Sequence, residues 1–389
     1  MSVTAPRGFR AAAATAGLKA SGAPDVALVV NDGPATAAAA VYTSNRCKAN
    51  PVLWSERASA DGRLRAVVLN SGGANCYTGP QGFQVTHATA EQVAAGLSAQ
   101  GTPTRAIDVV VCSTGLIGEP LDAPALARGV EAALAGLSAA GGPAAAEAIM
   151  TTDTRPKQAV RTSPDGWSIG GMAKGAGMLA PGLATMLVVL TTDADASAVL
   201  CDTALRAATR VTFDRLDTDG CMSTNDTVVL LASGASGVDP EPAGFADAVR
   251  EVCHDLAMQL LGDAEGAEHE IAIEVRGAAG EDDAVAAGRA VARSNLVKAA
   301  VFGRDPNWGR ILAAVGTSPA AFDPAAVDVA VNGVWVCRAG RAGEPRDRVD
   351  LSGRAVAVTV DLHAGAAMAT LWTTDLTHAY VHENSAYST

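Results

Sequence analysis

Between Gly171 and Leu190 the chain reads Gly-Met-Ala-Lys-Gly-Ala-Gly-Met-Leu-Ala-Pro-Gly-Leu-Ala-Thr-Met-Leu-Val-Val-Leu, and no other stretch constrains the fold as tightly. Gly171, Gly175, Gly177 and Gly182, with Pro181, make a segment that can take backbone angles closed to other residues. Met186 to Leu190 is then an apolar run with the length and composition of a buried strand. Thr185 sits at the seam, where a hydroxyl would lie at the mouth of a sheet, against a peptide bond that flanking glycines can hold under strain. The plainer alternative is a glycine-rich loop entering a strand, with Thr185 as its first residue.

A strand of that kind needs a core around it. The 389 residues suffice for two domains or one large one, and 49% of them are hydrophobic. Aromatic residues are only 4%, so the core must be built from Ala, Val and Leu. The net charge of −12 argues against a nucleic-acid or anionic-membrane surface, which would want a basic face. Seven cysteines without a CxxC or CxxH pair argue against a disulfide framework or a zinc site and favour reduced cytoplasmic thiols. The first ten residues carry no apolar signal-peptide region, and no uncharged apolar run reaches the roughly 18 residues of a membrane span.

Residues 1–24, Ala- and Gly-rich, are expected to cover an edge or loop. Strands are expected at Val26–Val30, Ala39–Thr43, Arg65–Leu69, Ile107–Val111, Trp167–Met172, Met186–Thr191, Thr227–Ala232 and Glu270–Val275. Helices are expected at His87–Leu97, 121–136, 143–150, Ala196–Leu216, 245–263 and Asp283–Ala299. Asn332-Gly333, between Val327–Val331 and Val334–Cys337, signals a two-residue hairpin, and Ala355–Leu362 with Ala367–Thr374 reads as another antiparallel pair. Strands and helices interspersed on both sides of Thr185 suggest an α+β fold with mixed sheets covered by helices, not a doubly wound sheet. Neither a dinucleotide-binding Gly-x-Gly-x-x-Gly nor a phosphate-binding Gly-Lys-Ser/Thr loop is present, so no cofactor is implied.

A threonine hydroxyl is a weak nucleophile until a base takes its proton, and one solution is for the threonine to carry that base as a free α-amine. Such an amine has a pKa of about 7.7–8.0, suited to a base near neutrality. It requires a cut just before the residue. The cut can be self-made: the Thr185 hydroxyl attacks the Ala184 carbonyl, an ester forms by N-to-O acyl shift, and water hydrolyses it. The chemistry as read from the sequence requires no His or Asp partner, which fits a chain with six His, none of them in a hydrolase motif. Donors for an oxyanion are also needed.

The run Lys174, Gly175, Gly177, Met178, Pro181, Ala184, Thr185, Met186 and Leu187 resembles the self-cleaving ornithine acetyltransferase family, also called glutamate N-acetyltransferase or ArgJ, in its pattern Lys-Gly-x-Gly-Met-x-x-Pro-x-x-Ala-Thr-Met-Leu. Further matching segments run in the same order: Asn70–Asn75, Ile149–Thr154, Ser223–Thr227, Asp263–Gly266, Leu296–Lys298 and Asp305–Arg310. The resemblance implies an αββα sandwich of the aminopeptidase–ornithine acetyltransferase type. It implies a cut between Ala184 and Thr185, giving an alpha chain 1–184 and a beta chain 185–389 that assemble as a heterotetramer of two alpha and two beta chains. Thr185 would be the nucleophile, and the Thr114 hydroxyl with the Gly115 backbone N–H the oxyanion hole. Lys174 would pair the substrate carboxylate and Glu265 the ornithine ammonium, with Thr151, Thr185, Asn384 and Thr389 completing the substrate site. Taken alone, Thr114-Gly115 is also a strand-to-loop turn, Lys174 a solvated loop charge, Glu265 a helix-end acid and Asn384 a surface amide.

The activity implied is transfer of acetyl from N2-acetyl-L-ornithine to L-glutamate through acetyl-Thr185, in a cytoplasmic enzyme of arginine biosynthesis with no metal and no cofactor. A related self-cleaving aminopeptidase or amidase, using water as acceptor, and a secondary-metabolism paralogue are the alternative enzymes; an intact, non-enzymatic binding protein is the third reading.

Overall fold

Leu187 to Thr192 is a strand buried on both faces, and the chain is layered around it. The computed structural model describes residues 2–179 and 186–386. In chain order the first part holds β1 (Phe9–Ala14), β2 (Val26–Asn31), β3 (Ala37–Tyr42), α1 (Asn50–Ala58), β4 (Ala66–Ser71), α2 (Gly79–Ala99), β5 (Val109–Thr114), α3 (Ala123–Ala135), α4 (Gly142–Ala148), β6 (Lys157–Thr162) and β7 (Ser168–Lys174). The central part follows with β8 (Leu187–Thr192), α5 (Ala198–Val211), β9 (Thr227–Ala232) and α6 (Pro242–Gly262).

Two sheets form the middle of a sandwich, in the strand orders β1-β2-β4-β5 and β3-β9-β8-β7-β6. Side chains alternate across a strand, and the second sheet uses both faces. Leu187, Val189, Val229 and Leu231 join the cluster built on the first sheet, while Val188, Leu190, Val228 and Leu230 pack with α5 and α6 on the other side. The first sheet's helical cover comes from α2 and α3. This is the expected αββα layering, with a core of Ala, Val and Leu. The open edge of β5 is closed by α1: Trp54 Nε1 donates to Val109 O (3.0 Å), Ser55 Oγ donates to Val111 O (2.8 Å) and Val111 N–H donates back to Ser55 Oγ (3.0 Å). Ladder groups that would otherwise invite another strand are thereby satisfied.

A third sheet lies beyond the sandwich. It comprises β10 (Glu270–Ala278), β11 (Asp328–Val331), β12 (Val334–Arg338), β13 (Arg341–Ala342), β14 (Ala355–Asp361) and β15 (Ala367–Thr374), in the order β13-β12-β11-β14-β10-β15. Its own core is shared with α7 (Glu281–Ala292), α8 (Asn295–Phe302) and α9 (Trp308–Val315), and α10 (His378–Ala386) follows. The Asn332-Gly333 turn has φ of 45° and 81°, the positive pair that a two-residue hairpin demands.

Four expectations are corrected. Residues 1–24 are not merely cover, since β1 pairs antiparallel with β2 over six positions. The single helix expected at Asp283–Ala299 is two, because the Ser294 side chain accepts from Val297 N–H and caps a new start. The long helix at Ala196–Leu216 stops at Val211 and passes into a short 3-10 turn at Phe213–Arg215. Finally, β14 and β15 are not neighbours: β10 lies between them, parallel to β14 and antiparallel to β15. The connection crosses the end of β10 at Gly277, where φ is +64° and an added Cβ would stand 2.4 Å from Asp361 Oδ1. Strand β6 went unread because Lys157–Thr162 is half polar and belongs at the sheet's edge.

Candidate active site

Three strand ends meet where the glycine-rich stretch begins. The β4–β5 ladder ends with Ser71 opposite Thr114, the β7–β8 ladder with Lys174 opposite Leu187, and Leu187 stands opposite Thr227 in the parallel β8–β9 ladder. Packing of the two sheets then brings Thr114 from one to Lys174 from the other, and Lys174 Nζ donates to Thr114 Oγ1 at 3.3 Å. Because the lysine supplies that hydrogen bond, the threonine's own hydroxyl proton is free to point at a ligand. Gly115 follows with φ +128°, and a Cβ there would lie 2.5 Å from the Gly73 nitrogen, so only glycine fits. Among the described residues the Gly115 N–H has no partner.

Lys174 is not a solvated loop charge. It is 1% exposed at the end of β7, and burial pushes its ammonium below the usual lysine range against the pull of Asp153, 4.0 Å away. Burial opposes the charge of Asp153 as well, but Lys174 and Lys157, with the Gly175 N–H at 2.6 Å, hold that carboxyl below the usual range. Lys157 Nζ completes the network, donating to Asp153 Oδ1 (2.6 Å) and Asp263 Oδ2 (2.5 Å) with its side chain wholly buried. Asp263 also receives the Thr154 N–H at 3.0 Å and the Thr154 hydroxyl. Replacing Lys157 by Met leaves two buried carboxyls facing each other without their cation. The expected cost is about 3–5 kcal/mol, read as a lower thermal unfolding midpoint.

The substrate-site candidates gather around the same network. The Thr151 N–H donates to Asp153 Oδ2 (3.0 Å). Glu265 lies just beyond α6, its N–H donating to Ala176 O (3.0 Å) and its Oε2 accepting from Asn384 Nδ2 (3.0 Å). Asn384 is exposed on α10, yet it is tied to Glu265 and is more than a surface amide. Of the sequence-derived candidates, Thr114, Gly115, Thr151, Lys174, Glu265 and Asn384 thus surround the start of the glycine-rich stretch. Ala184, Thr185 and Thr389, and with them the expected cut, lie outside the described residues.

Sequence reasoning gave no role to several acids that hold this region. Asp153 and Asp263 buttress Lys174 and Lys157. Asp219 Oδ2 accepts from Met178 N–H (2.7 Å) and so holds the next part of the stretch, where Met178 takes a left-handed φ of 55°. Asp226 Oδ1 accepts from Met186 N–H (3.0 Å). Asp153, Asp226 and Asp263 stood in the matched segments, but nothing in spacing marks a loop carboxylate as buried. Among the described residues no cluster of three or more His, Cys, Asp or Glu could hold a metal, and no helix is long and apolar enough to cross a membrane.

A buried ammonium, a hydroxyl and an N–H without a partner among the described residues, at the mouth of two packed sheets, suit acyl transfer, since all three can face a developing oxyanion or a carboxylate. The ArgJ family model matches residues 10–389, and the chain belongs to that family, whose members are acyltransferases. It is 63% identical to the "Arginine biosynthesis bifunctional protein ArgJ" of Streptomyces coelicolor, covering 100% of both chains, and 63% identical to that of Thermobifida fusca over the same share. A crystal structure of ornithine acetyltransferase complexed with ornithine from Mycobacterium tuberculosis is 57% identical, covering 48% of this chain and 96% of that one, with a TM-score of 0.46.

Proposed function

We propose that this protein moves the acetyl group of N2-acetyl-L-ornithine to L-glutamate, giving ornithine and N-acetylglutamate in arginine biosynthesis, through an acetyl ester on Thr185. The observation that carries the reading is the hydrogen bond from Lys174 Nζ to Thr114 Oγ1, next in the chain to a Gly115 N–H that has no partner among the described residues, in a chain matched by the ArgJ family model over residues 10–389. In this reading the precursor cuts itself between Ala184 and Thr185. Thr185 Oγ attacks the acetyl carbonyl while its new α-amine takes the hydroxyl proton. The oxyanion faces Thr114 and Gly115, and the ornithine amine leaves with the proton returned from the α-amine. Glutamate's amine then attacks the ester. Lys174 holds the α-carboxylate of either substrate, with Thr151, Thr185 and Thr389 around it.

The far end of the pocket must receive an ammonium from ornithine and a carboxylate from glutamate. Glu265 suits the first. The Asn384 amide donates to Glu265 Oε2 and to Tyr380 O, both at 3.0 Å, and suits the other by exchanging one of these bonds for the substrate carboxylate. One pocket can then face both side chains.

The chains 1–184 and 185–389 would stay together, because β3, β6 and β7 precede residue 185 while β8 and β9 of the same sheet follow it. The chains would assemble as a heterotetramer of two alpha and two beta chains, and a reducing cytoplasmic setting fits the seven free cysteines. Intact-mass measurement of the purified protein tests the reading: two species are expected, one beginning at Thr185, together accounting for the 39.0 kDa chain. Transfer should require glutamate, whereas a hydrolase would release acetate without it. A single uncut chain with full activity would sink the proposal.

A further inference from the structure

The cut has a chemical need that the mature enzyme does not share. After the cut, the α-amine of Thr185 can take the hydroxyl proton; before it, the same nitrogen is an amide and cannot serve as a base. Some other group must accept the hydroxyl proton and supply one to the departing nitrogen, or the N-to-O shift stalls as a charged tetrahedral adduct.

Asp226 stands where such a group is needed. It is the last residue before β9, its side chain is wholly buried, and its Oδ1 receives the Met186 N–H at 3.0 Å. The backbone fixes it from both sides: Thr43 N–H donates to Asp226 O (3.0 Å), and Thr227 N–H donates to Met186 O (3.2 Å). Met186 directly follows residue 185 in the chain, so the carboxyl that holds the Met186 N–H holds the backbone one residue beyond the proposed nucleophile. Its second oxygen, Oδ2, is buried and, among the described residues, has no hydrogen-bond partner. A buried polar atom left unpaired is costly and calls for an explanation.

We propose that Asp226 is the proton carrier of self-cleavage. The proposal rests on the reading of Thr185 as the nucleophile of the cut. As Thr185 Oγ bonds to the Ala184 carbonyl carbon, the hydroxyl proton passes to one oxygen of the Asp226 carboxyl. As the bond from that carbon to the Thr185 nitrogen breaks, the proton on the other oxygen passes to the nitrogen. The carboxyl ends as it began, the products are an ester and a free amine, and water hydrolyses the ester. The carrier must start as the neutral acid. Burial drives the Asp226 carboxyl well above the usual carboxylate range, against the opposing pull of the Met186 N–H, the Ser223 hydroxyl, the Lys174 ammonium on β7 and the Thr43 hydroxyl.

Asp226→Asn keeps the volume and the acceptor for Met186 N–H but cannot carry a proton. Freshly purified precursor of this variant, followed by denaturing gel and intact mass beside wild type and Thr185→Ala, should cut roughly a hundredfold more slowly or worse. In Asp226→Ala the vacated space can admit formate. Added formate should restart the cut in stalled precursor in proportion to its concentration, while chloride should not, a rescue that a purely structural carboxyl would not give. Wild-type cutting rates in Asp226→Asn would overturn the proposal. So would failure of formate in an Asp226→Ala precursor whose thermal melt matches that of Thr185→Ala. Should Thr185→Ala itself be cut, the assignment of the nucleophile falls, an outcome separate from either result at Asp226.

Discussion

Thr185→Ala is expected to yield a single uncut chain of 39.0 kDa with no measurable acetyl transfer. In the proposed mechanism the hydroxyl is needed twice, for the cut and for each turnover, and alanine supplies neither a nucleophile nor, in an uncut chain, an α-amine. Thr185→Ser separates the two losses. It retains the hydroxyl and the future amine but loses the methyl that fixes the rotamer, so it should cut more slowly and keep partial activity. Mature wild type should lose activity as pH falls through the pKa of the amine, because the protonated amine cannot accept the hydroxyl proton. A cation near that amine disfavours its protonation and moves the loss to lower pH; Lys174, opposite Leu187 in the β7–β8 ladder, is placed to do this. The measurements are a gel, a transfer assay and single-turnover trapping of acetyl-enzyme with peptide mapping. Acetyl on any other residue, or normal transfer by Thr185→Ala, would remove Thr185 from the mechanism.

Thr114→Ala is expected to lower kcat by roughly 10²–10³, the loss that follows removal of one oxyanion donor. The threonine is 3% exposed at the end of β5, and its Oγ1 accepts the Lys174 ammonium. The substitution therefore also frees a buried Nζ that has Asp153 at 4.0 Å and feels the charges of Glu265 and Asp226. Substrate affinity should change less than turnover if the hydroxyl acts on the transition state, because a group that binds both states equally would alter KM instead. Self-cleavage should slow as well if the same hole serves the Ala184 carbonyl. Unchanged kcat together with an unchanged cutting rate would exclude Thr114 from the site.

Much of the candidate site was legible before the fold was known, because segments that match the ArgJ family pattern carry its residues. Lys174, Thr114-Gly115, Glu265 and Asn384 were each singled out from the sequence, and they surround one stretch. What could not be read was their environment. Lys174 looked as much like a surface charge as a ligand, since burial of a lysine depends on the sheet packed above it. The acids at 153, 219, 226 and 263 were invisible as site elements for the same reason. Each stands in a loop or at an element's end, where no periodicity reports which way a side chain points.

The sequence by itself determined the alternation of strand and helix, the Ala-, Val- and Leu-rich core, the Asn332-Gly333 hairpin and the strand after Thr185. These follow from local backbone chemistry and from apolar runs of a given period, which neighbours in sequence decide. Only the tertiary structure decided that β10 lies between β14 and β15, that a helix breaks at Ser294, and that β6 completes a sheet. It alone placed Lys174 on Thr114 across two sheets and buried Asp226 against Met186. Such facts depend on register between strands distant in the chain, where one residue of slip turns every side chain to the opposite face.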